Sequence, residues 1–202
     1  MERDVWPRRP AGVLPSLQVT AATLLLAACT VAPSPTALGP TGMPAPTEPE
    51  LASGTVTEDG ITLSATARPA VVPAGQPIEV EAVLSHDRPE PLLITGSGSG
   101  IVFFSVTRLE DGLGSGPPAM TGDCGRHELP AGEPLVVPFS KSGGYSPDDP
   151  NAEFMEIYNS SPELSLPAGT WRIDVTAHGN LGDACDGPQL RHALALTVTV
   201  TD

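Results

Sequence analysis

The sequence predicts an all-β fold, a two-sheet antiparallel sandwich, and three observations support this prediction. Several segments alternate apolar and polar residues with a period of two, which is typical of strands with one buried face. Turns rich in proline and glycine separate these segments at short spacing. No stretch shows a helical period, and residues 151–158 are expected to form at most one short helical turn. These features together favour two packed sheets.

Seven segments are predicted as strands. The alternation is clearest over residues 78–84, 171–177 and 194–200, where isoleucine, valine, leucine and tryptophan fall on one face. The other four segments are residues 61–67, 92–95, 101–109 and 135–139. Residues 101–104 are apolar at every position, which predicts either a central strand or a strand shielded by a loop.

Three predicted turns share the sequence Pro-Ala-Gly after an apolar residue, and they cover residues 72–75, 129–132 and 166–169. Proline presets φ at the second position of a turn and glycine suits the fourth, so each is predicted to be a type I turn. Their spacing along the chain is unequal. We therefore interpret them as the ends of strands and not as a repeat architecture.

The first 28 residues have the order of a secretory signal peptide. Arg3, Arg8 and Arg9 provide a basic start, an uncharged stretch covers residues 13–28, and small residues precede Cys29. This order is typical of exported proteins. An uncleaved membrane span is disfavoured, because a span needs about 20 predominantly apolar residues and this stretch is shorter and contains several polar ones.

The tetrad Leu26-Ala27-Ala28-Cys29 resembles the lipobox of bacterial surface lipoproteins. The resemblance implies that Cys29 becomes the first mature residue and carries at least a diacylglyceryl group. Two acyl chains anchor a protein stably, whereas one gives only marginal binding. We therefore expect a lipoprotein signal peptide over residues 1–28. The expected location is the cell membrane, lipid-anchored, on the extracytoplasmic side.

A change in composition marks the next boundary. Residues 29–53 contain the lipidated cysteine and a segment rich in proline and threonine without apolar periodicity. Such a segment cannot bury a core, so we predict a disordered, semi-rigid tether. Residues 54–202 then have the usual length of one domain.

Export also bears on the three cysteines of the chain. With Cys29 assigned to lipid, Cys124 and Cys185 remain as an even pair in an oxidising compartment. We predict a disulfide between them. In the chain-entropy model such a bridge contributes about 4 kcal/mol to stability.

Two stretches resemble bacterial immunoglobulin-like domains. Residues 167–175, Pro-Ala-Gly-Thr-Trp-Arg-Ile-Asp-Val, are similar to the penultimate strand of those domains, and residues 72–78 are similar to the approach to an early strand. The layout of residues 54–202 is also loosely similar to BsuPI-like proteinase-inhibitor domains. The resemblance implies an immunoglobulin-like β-sandwich and carries no functional residue with it.

The charge of the chain excludes one class of partner. It contains 24 Asp and Glu against 10 Lys and Arg, a net charge of −14. Nucleic-acid phosphates require patches of lysine and arginine, so we expect no nucleic-acid partner. Acidity of this kind supports solubility, and a cation-rich partner is an open alternative.

No catalytic residue, metal site or cofactor is predicted. Ser97 and Ser99 lie in a glycine-rich run, but neither fits the G-x-S-x-G nucleophile motif, so the run is interpreted as a flexible loop between strands. Cys124 and His127 have a spacing used by metal ligands, with further candidates at other positions: Cys185, His178 and His192. A disulfide would remove both thiolates, so we favour a disulfide over a metal centre. Acidic residues over 148–156 match no calcium loop and are interpreted as a solvated turn.

The remaining candidate is a pair of long loops, residues 111–128 and 141–164. Long loops on a rigid sandwich are common places for recognition. The second contains four side chains of types enriched at interfaces, which we take as candidate ligand-binding residues: Tyr145, Phe154, Met155 and Tyr158. The alternative is that these side chains cap one end of the sandwich.

These observations favour a binding or interaction module over an enzyme. We expect a membrane-anchored extracytoplasmic protein whose sandwich binds an unidentified ligand, possible partners being other envelope proteins. Fold alone does not define function, so three alternatives stay open. They are an enzyme, an envelope metal-handling protein and a proteinase-inhibitor-like module.

Overall fold

The alternating segments form two facing sheets in the computed structural model, which describes residues 50–202. The predicted two-sheet β-sandwich is confirmed. In chain order the elements are β1 (Ala52–Glu58), β2 (Ile61–Arg68), β3 (Val71–Pro73), β4 (Pro77–His86), β5 (Leu92–Gly96), β6 (Val102–Arg108), β7 (Gly125–Leu129), β8 (Leu135–Pro138), α1 (Ala152–Asn159), β9 (Leu164–Ser165), β10 (Gly169–Leu181) and β11 (Gln189–Thr201). The predicted signal peptide, Cys29 and most of the predicted tether lie outside the described residues.

The first sheet has the order β1-β2-β4-β8, and all of its pairs are antiparallel. The short strand β9 pairs with the beginning of β4. Strand β1 begins at Ala52, inside the segment predicted as tether. Because its sequence is mostly polar, it shows no apolar alternation that would predict a strand. Backbone hydrogen bonds to β2 hold it in the sheet.

The second sheet has the order β3-β11-β10-β5-β7, and β6 also pairs with β10. Strand β10 is long enough to pair first with β6 and then with β5. The pair β3–β11 is parallel, so the sheet is mixed and not wholly antiparallel as predicted. The reason is that the chain crosses from β2 in the first sheet to the second sheet, where β3 runs alongside β11 in the same direction.

The core lies between the sheets and contains the apolar positions of each alternating strand. Along β10, Trp171, Ile173, Val175 and Ala177 are buried while the residues between them reach towards the outside. Strands β2 and β4 present the facing layer in the same way. Full burial of each large side chain contributes about 1.5–3 kcal/mol, so this pattern fixes which face of each strand points inward.

Residues 101–104 are buried at every position, as expected for a shielded strand. Strand β6 pairs with β10 on one side only. On its other side Ser115 lies beside Val106, accepting a hydrogen bond from Val106 N to its Oγ at 3.1 Å and donating its own N–H to Val106 O at 3.0 Å. A loop therefore shields this strand, which is the second of the two predicted arrangements.

Helix α1 has eight residues, about two turns, where one turn was predicted. Phe154, Met155 and Tyr158 lie on its buried face. The Phe154 ring stacks on the Trp171 indole, with ring centroids 5.5 Å apart. The ammonium of Lys141 donates to the carbonyls of Tyr158 and Ser161, which places a cation at the end of the helix where carbonyl groups are unpaired.

The Pro-Ala-Gly turns differ from the type I prediction. Gln76 N donates to Pro73 O, and Glu133 N donates to Pro130 O, so proline is the first residue of each turn and glycine the third. Gly75 and Gly132 both have φ of +76°, which makes these type II turns. Glycine at that position adopts positive φ without a steric cost, and this outweighs the preference of proline for the second position. At the third site Gly169 begins β10.

Strand β8 lies at an edge of the first sheet, with Pro134 just before it and Pro138 at its end. Phe139 N donates to Val80 O, and antiparallel pairing alternates, so the N–H groups of Val137 and Leu135 point towards β4. Val136 and Pro138 therefore face the free edge. Proline has no N–H to leave unpaired there, which is why it is tolerated on such an edge.

Candidate functional site

A disulfide joins two loops at one end of the sandwich. Cys124 precedes β7, Cys185 lies in the turn between β10 and β11, and their Cα atoms are 6.0 Å apart. The predicted pairing is confirmed. Both cysteines are exposed, and Thr95 beneath them donates its hydroxyl to Ala184 O at 2.9 Å, which ties β5 to the same turn.

Beside the disulfide, the glycine-rich run is held by a network of hydroxyl groups. Ser97 Oγ lies 2.7 Å from Ser99 Oγ and 2.9 Å from Thr121 Oγ1, and it accepts a hydrogen bond from Thr121 N. Gly98 N donates to Asp123 Oδ1 at 2.9 Å. This run was predicted to be a flexible loop, and its hydrogen bonds instead fix it against residues 121–125.

Serine, histidine and aspartate meet in this network without the geometry of a nucleophile. His127 Nε2 lies 2.9 Å from the backbone oxygen of Ser97, whereas a general base must reach the hydroxyl. Ser97 is buried. Hydrogen bonds from Thr121 and from Gly98 N lower the pKa of Asp123, so its carboxylate serves these loops as an acceptor. The arrangement stabilises the two loops and does not activate Ser97.

The other candidate metal ligands do not converge. Cys124 and Cys185 are joined to each other. His192 is buried on β11, and its Nε2 lies 3.0 Å from Ile61 O in the opposite sheet. Within residues 50–202 no group of three or more histidine, cysteine or acidic side chains is placed to hold a metal ion. In the acidic stretch, Asp149 accepts a hydrogen bond from Asn151 N at 2.9 Å, and Asp148 is exposed.

The four candidate binding side chains of the second long loop separate into two groups. Tyr145 is 40% exposed, whereas Phe154, Met155 and Tyr158 belong to the core. Burial raises the pKa of Tyr158 to about 12. The three buried residues thus cap one end of the sandwich, which was the alternative interpretation, and they present little surface to a ligand.

A groove of about 860 Å³ lies on the first sheet, at the opposite end from the disulfide. Strand β8 pairs with residues 81–84 of β4 and β9 pairs with residues 77–78, so residues 79 and 80 lie between the two pairings. Leu51, just before β1, lines the same groove. Its volume falls within the range of about 300–1,000 Å³ that is common for ligand sites.

The groove combines an apolar surface with acidic groups. The apolar part consists largely of prolines and one aromatic ring: Pro69, Pro77, Pro138, Pro162 and Phe139. Glu79, Glu81 and Glu163 also line it, against a single guanidinium, that of Arg68. None of the ion pairs found in residues 50–202 includes any of these three carboxylates. Arg68 lies opposite Glu79, and the charge of Glu163 acts on the ammonium of Lys141, whereas Glu81 has no cation opposite it.

The groove could not be predicted from the sequence because its lining comes from distant segments. Glu79 and Glu81 are polar positions of an alternating strand, and Pro138 and Pro162 read as turn residues. Two acidic residues spaced by two on a predicted strand were a signal that they share one face. Nothing in the sequence showed that residues 138–139 and 162–164 lie beside them.

No helix within residues 50–202 has both the length and the apolar character needed to cross a bilayer. Comparisons with protein-family models, with curated proteins and with solved structures found no match to this chain.

Proposed function

We propose that this protein is a lipid-anchored binding module of the extracytoplasmic side of the cell membrane, and that the groove on the first sheet is its ligand site. The observation that carries the proposal is the groove itself. It combines a volume suited to a ligand, a proline-rich apolar surface and three carboxylates without ion-pair partners. Such a combination of apolar surface and a few polar groups is typical of binding sites.

The anchor rests on separate support. The tetrad Leu26-Ala27-Ala28-Cys29 follows an apolar leader, which is the order expected of a lipoprotein signal. The Cys124–Cys185 disulfide agrees with an oxidising compartment, where such bonds persist. The proposed partner in that compartment is another envelope protein.

A binding role is favoured over a catalytic one. Ser97, the serine with histidine and aspartate near it, has a hydroxyl already engaged with Ser99 and Thr121. His127 contacts its backbone oxygen only. The acidic side chains of the groove, Glu79, Glu81 and Glu163, are exposed to solvent.

Mass spectrometry of the protein extracted from membranes tests the anchor. The expected result is a mature chain that begins at Cys29 and carries a diacylglyceryl group. Cys29→Ala is expected to abolish the lipid and release the protein from the membrane fraction. A mature chain that begins at another residue, or an unmodified Cys29, would contradict the anchor.

A blocked groove tests the binding site. Thr66 is exposed on β2 and lines the groove, so Thr66→Trp is expected to fill part of it. Thr55→Trp, on the same outer face but outside the groove, is the matched control. Cross-linking of the full chain in its own envelope is expected to give adducts that Thr66→Trp loses and Thr55→Trp retains. Equal adducts in both variants would show that ligands bind elsewhere.

A further inference from the structure

Two groove carboxylates repeat at the spacing of an extended chain. Glu79 and Glu81 are two residues apart on β4, and both point to the outer face of the first sheet because the residues on either side are buried. Strand geometry places positions i and i+2 about 7 Å apart on one face. Among common ligands, another extended polypeptide has this same two-residue repeat.

The charges around these carboxylates are unequal. Glu79 lies directly opposite Arg68 on β2, whereas Glu81 lies opposite Thr66 on one side and Pro138 on the other. Glu163 adds a third carboxylate near β9. The guanidinium of Arg68 lies opposite Glu79, and the charge of Glu163 acts on the ammonium of Lys141. Glu81 has no cation opposite it on either neighbouring strand, so the groove attracts a cationic ligand there.

The apolar surface suits the same ligand. Lysine and arginine side chains lay their aliphatic stems along apolar surface while the charged group stays in water. Pro138, Pro162 and Phe139 offer such surface beside the carboxylates. A small inorganic cation would leave this surface uncovered, and an anionic or purely apolar segment would leave the carboxylates without partners.

We infer that the groove binds an extended, cationic peptide segment of a partner protein, with basic side chains two positions apart facing Glu79 and Glu81. This inference rests on the proposed function, because it names the ligand of the same groove. The match is in charge and in spacing. The net charge of −14 of the whole chain adds long-range attraction for such a partner.

Fluorescence anisotropy with labelled peptides and the detergent-solubilised full chain tests the inference. The probe is an eight-residue peptide in which lysine and threonine alternate, so that as an extended strand it presents all four lysines on one face. One control peptide has the same composition with its four lysines in a row, and another has glutamate in place of lysine. We expect the alternating lysine peptide to bind most tightly, the lysine block more weakly and the glutamate peptide not at all.

Variants of the carboxylates assign the binding to the groove. Glu79→Gln and Glu81→Gln are each expected to weaken binding about two- to five-fold, the range for exposed ion pairs, with the larger loss for Glu81. Glu133→Gln makes the same change of charge on an exposed turn outside the groove and is expected to leave binding unchanged. Equal affinities of all three variants, or equal binding of the glutamate peptide, would overturn the inference.

A selection from a random peptide library separates this inference from the proposed function. We expect the selected peptides to carry basic residues at alternate positions and to lose binding in the Thr66→Trp variant. Selected peptides without basic residues that still lose binding in Thr66→Trp would refute the cationic ligand and leave the groove as the site. Peptides that bind the Thr66→Trp and Thr55→Trp variants equally would refute both.

Discussion

The indole of Trp171 and the ring of Phe154 stack with their centroids 5.5 Å apart and their planes inclined by 23°. The indole N–H also donates to Pro167 O at 2.8 Å. This contact between two side chains joins helix α1 to strand β10. The helix is therefore part of the core and not an addition to the surface.

Truncation of either ring is expected to destabilise the domain. Phe154→Ala and Trp171→Ala each leave a cavity, and large-to-small changes of this kind cost about 3–5 kcal/mol. Ile157→Ala, on the exposed face of the same helix, is expected to change the free energy of unfolding by no more than about 0.5 kcal/mol. Urea unfolding followed by circular dichroism measures all three. A small effect of Phe154→Ala would show that the helix does not support the core.

Loss of the disulfide is expected to lower stability by about 4 kcal/mol, because the bridge closes a loop with a sequence separation of 61. The double variant Cys124→Ala, Cys185→Ala should match the reduced protein in urea unfolding. Neither the single variant Cys124→Ala nor the double variant can form the bridge, so reductant should leave the unfolding midpoint of both unchanged. An unchanged unfolding midpoint after reduction would contradict the prediction.

Gly125 is expected to tolerate no side chain, whereas Gly122 accepts one. A Cβ atom at Gly125 would lie 2.8 Å from Gly98 Cα, and backbone cannot rotate away as a side chain does. Overpacking of this kind costs about 1–3 kcal/mol, so the Gly125→Ala variant should unfold at a lower urea concentration than the parent protein. A Cβ atom at Gly122 meets nothing within 4 Å, so Gly122→Ala should be neutral or slightly stabilising. Equal behaviour of the two variants would contradict the close approach of these loops.

Acid is expected to remove a contribution of Asp111. Its carboxylate accepts two hydrogen bonds from Arg108, at 2.6 and 2.9 Å, which lowers the pKa of Asp111 to about 2 from 3.8. A depressed pKa in the folded state means stabilisation that is complete above pH 4 and is lost as pH falls towards 2. Asp111→Asn should therefore be less stable than the parent at pH 6, with a difference that shrinks across this window. Asp148→Asn makes the same change at an exposed turn and is the matched control.

Alkali is expected to act through Tyr158. Burial raises its pKa to about 12, so the stabilisation it provides is complete below pH 10 and is lost as pH rises through 12. The chain has two tyrosines, and Tyr145→Phe leaves Tyr158 alone. In that variant the phenolate absorbance should rise near pH 12. A rise near pH 10 with the fold intact would contradict the burial of this side chain.

The alternating strands could be predicted from the sequence because their pattern follows directly from the buried face. Strands β4, β10 and β11 were recognised in this way, and the even pair of cysteines led to the correct disulfide. Strand β7 was not recognised. Its sequence, Gly-Arg-His-Glu-Leu, is polar, and its pairing with β5 in the sheet places it.

Other features depend on contacts between distant segments, which one sequence does not reveal. The Pro-Ala-Gly motif allowed two turn types, and the positive φ of Gly75 selects type II. The aromatic residues of α1 are of types that are enriched at interfaces. In the structure they pack in the core, where the Phe154 ring stacks on Trp171. The groove could be predicted only if the pairings of β8 and β9 with β4 were known. The sequence could indicate only that Glu79 and Glu81 share one face of a strand.

The prolines at the edge of β8 have a consequence for molecules held side by side. Proteins confined to a membrane surface, as proposed for this one, meet their neighbours far more often than proteins in dilute solution. An open strand edge would then act as a template for sheet growth from one copy to the next. Along β8 only Val136 offers an outward N–H between Pro134 and Pro138. Sheet growth through the β8 edge is therefore disfavoured, even where many copies of this molecule lie close together.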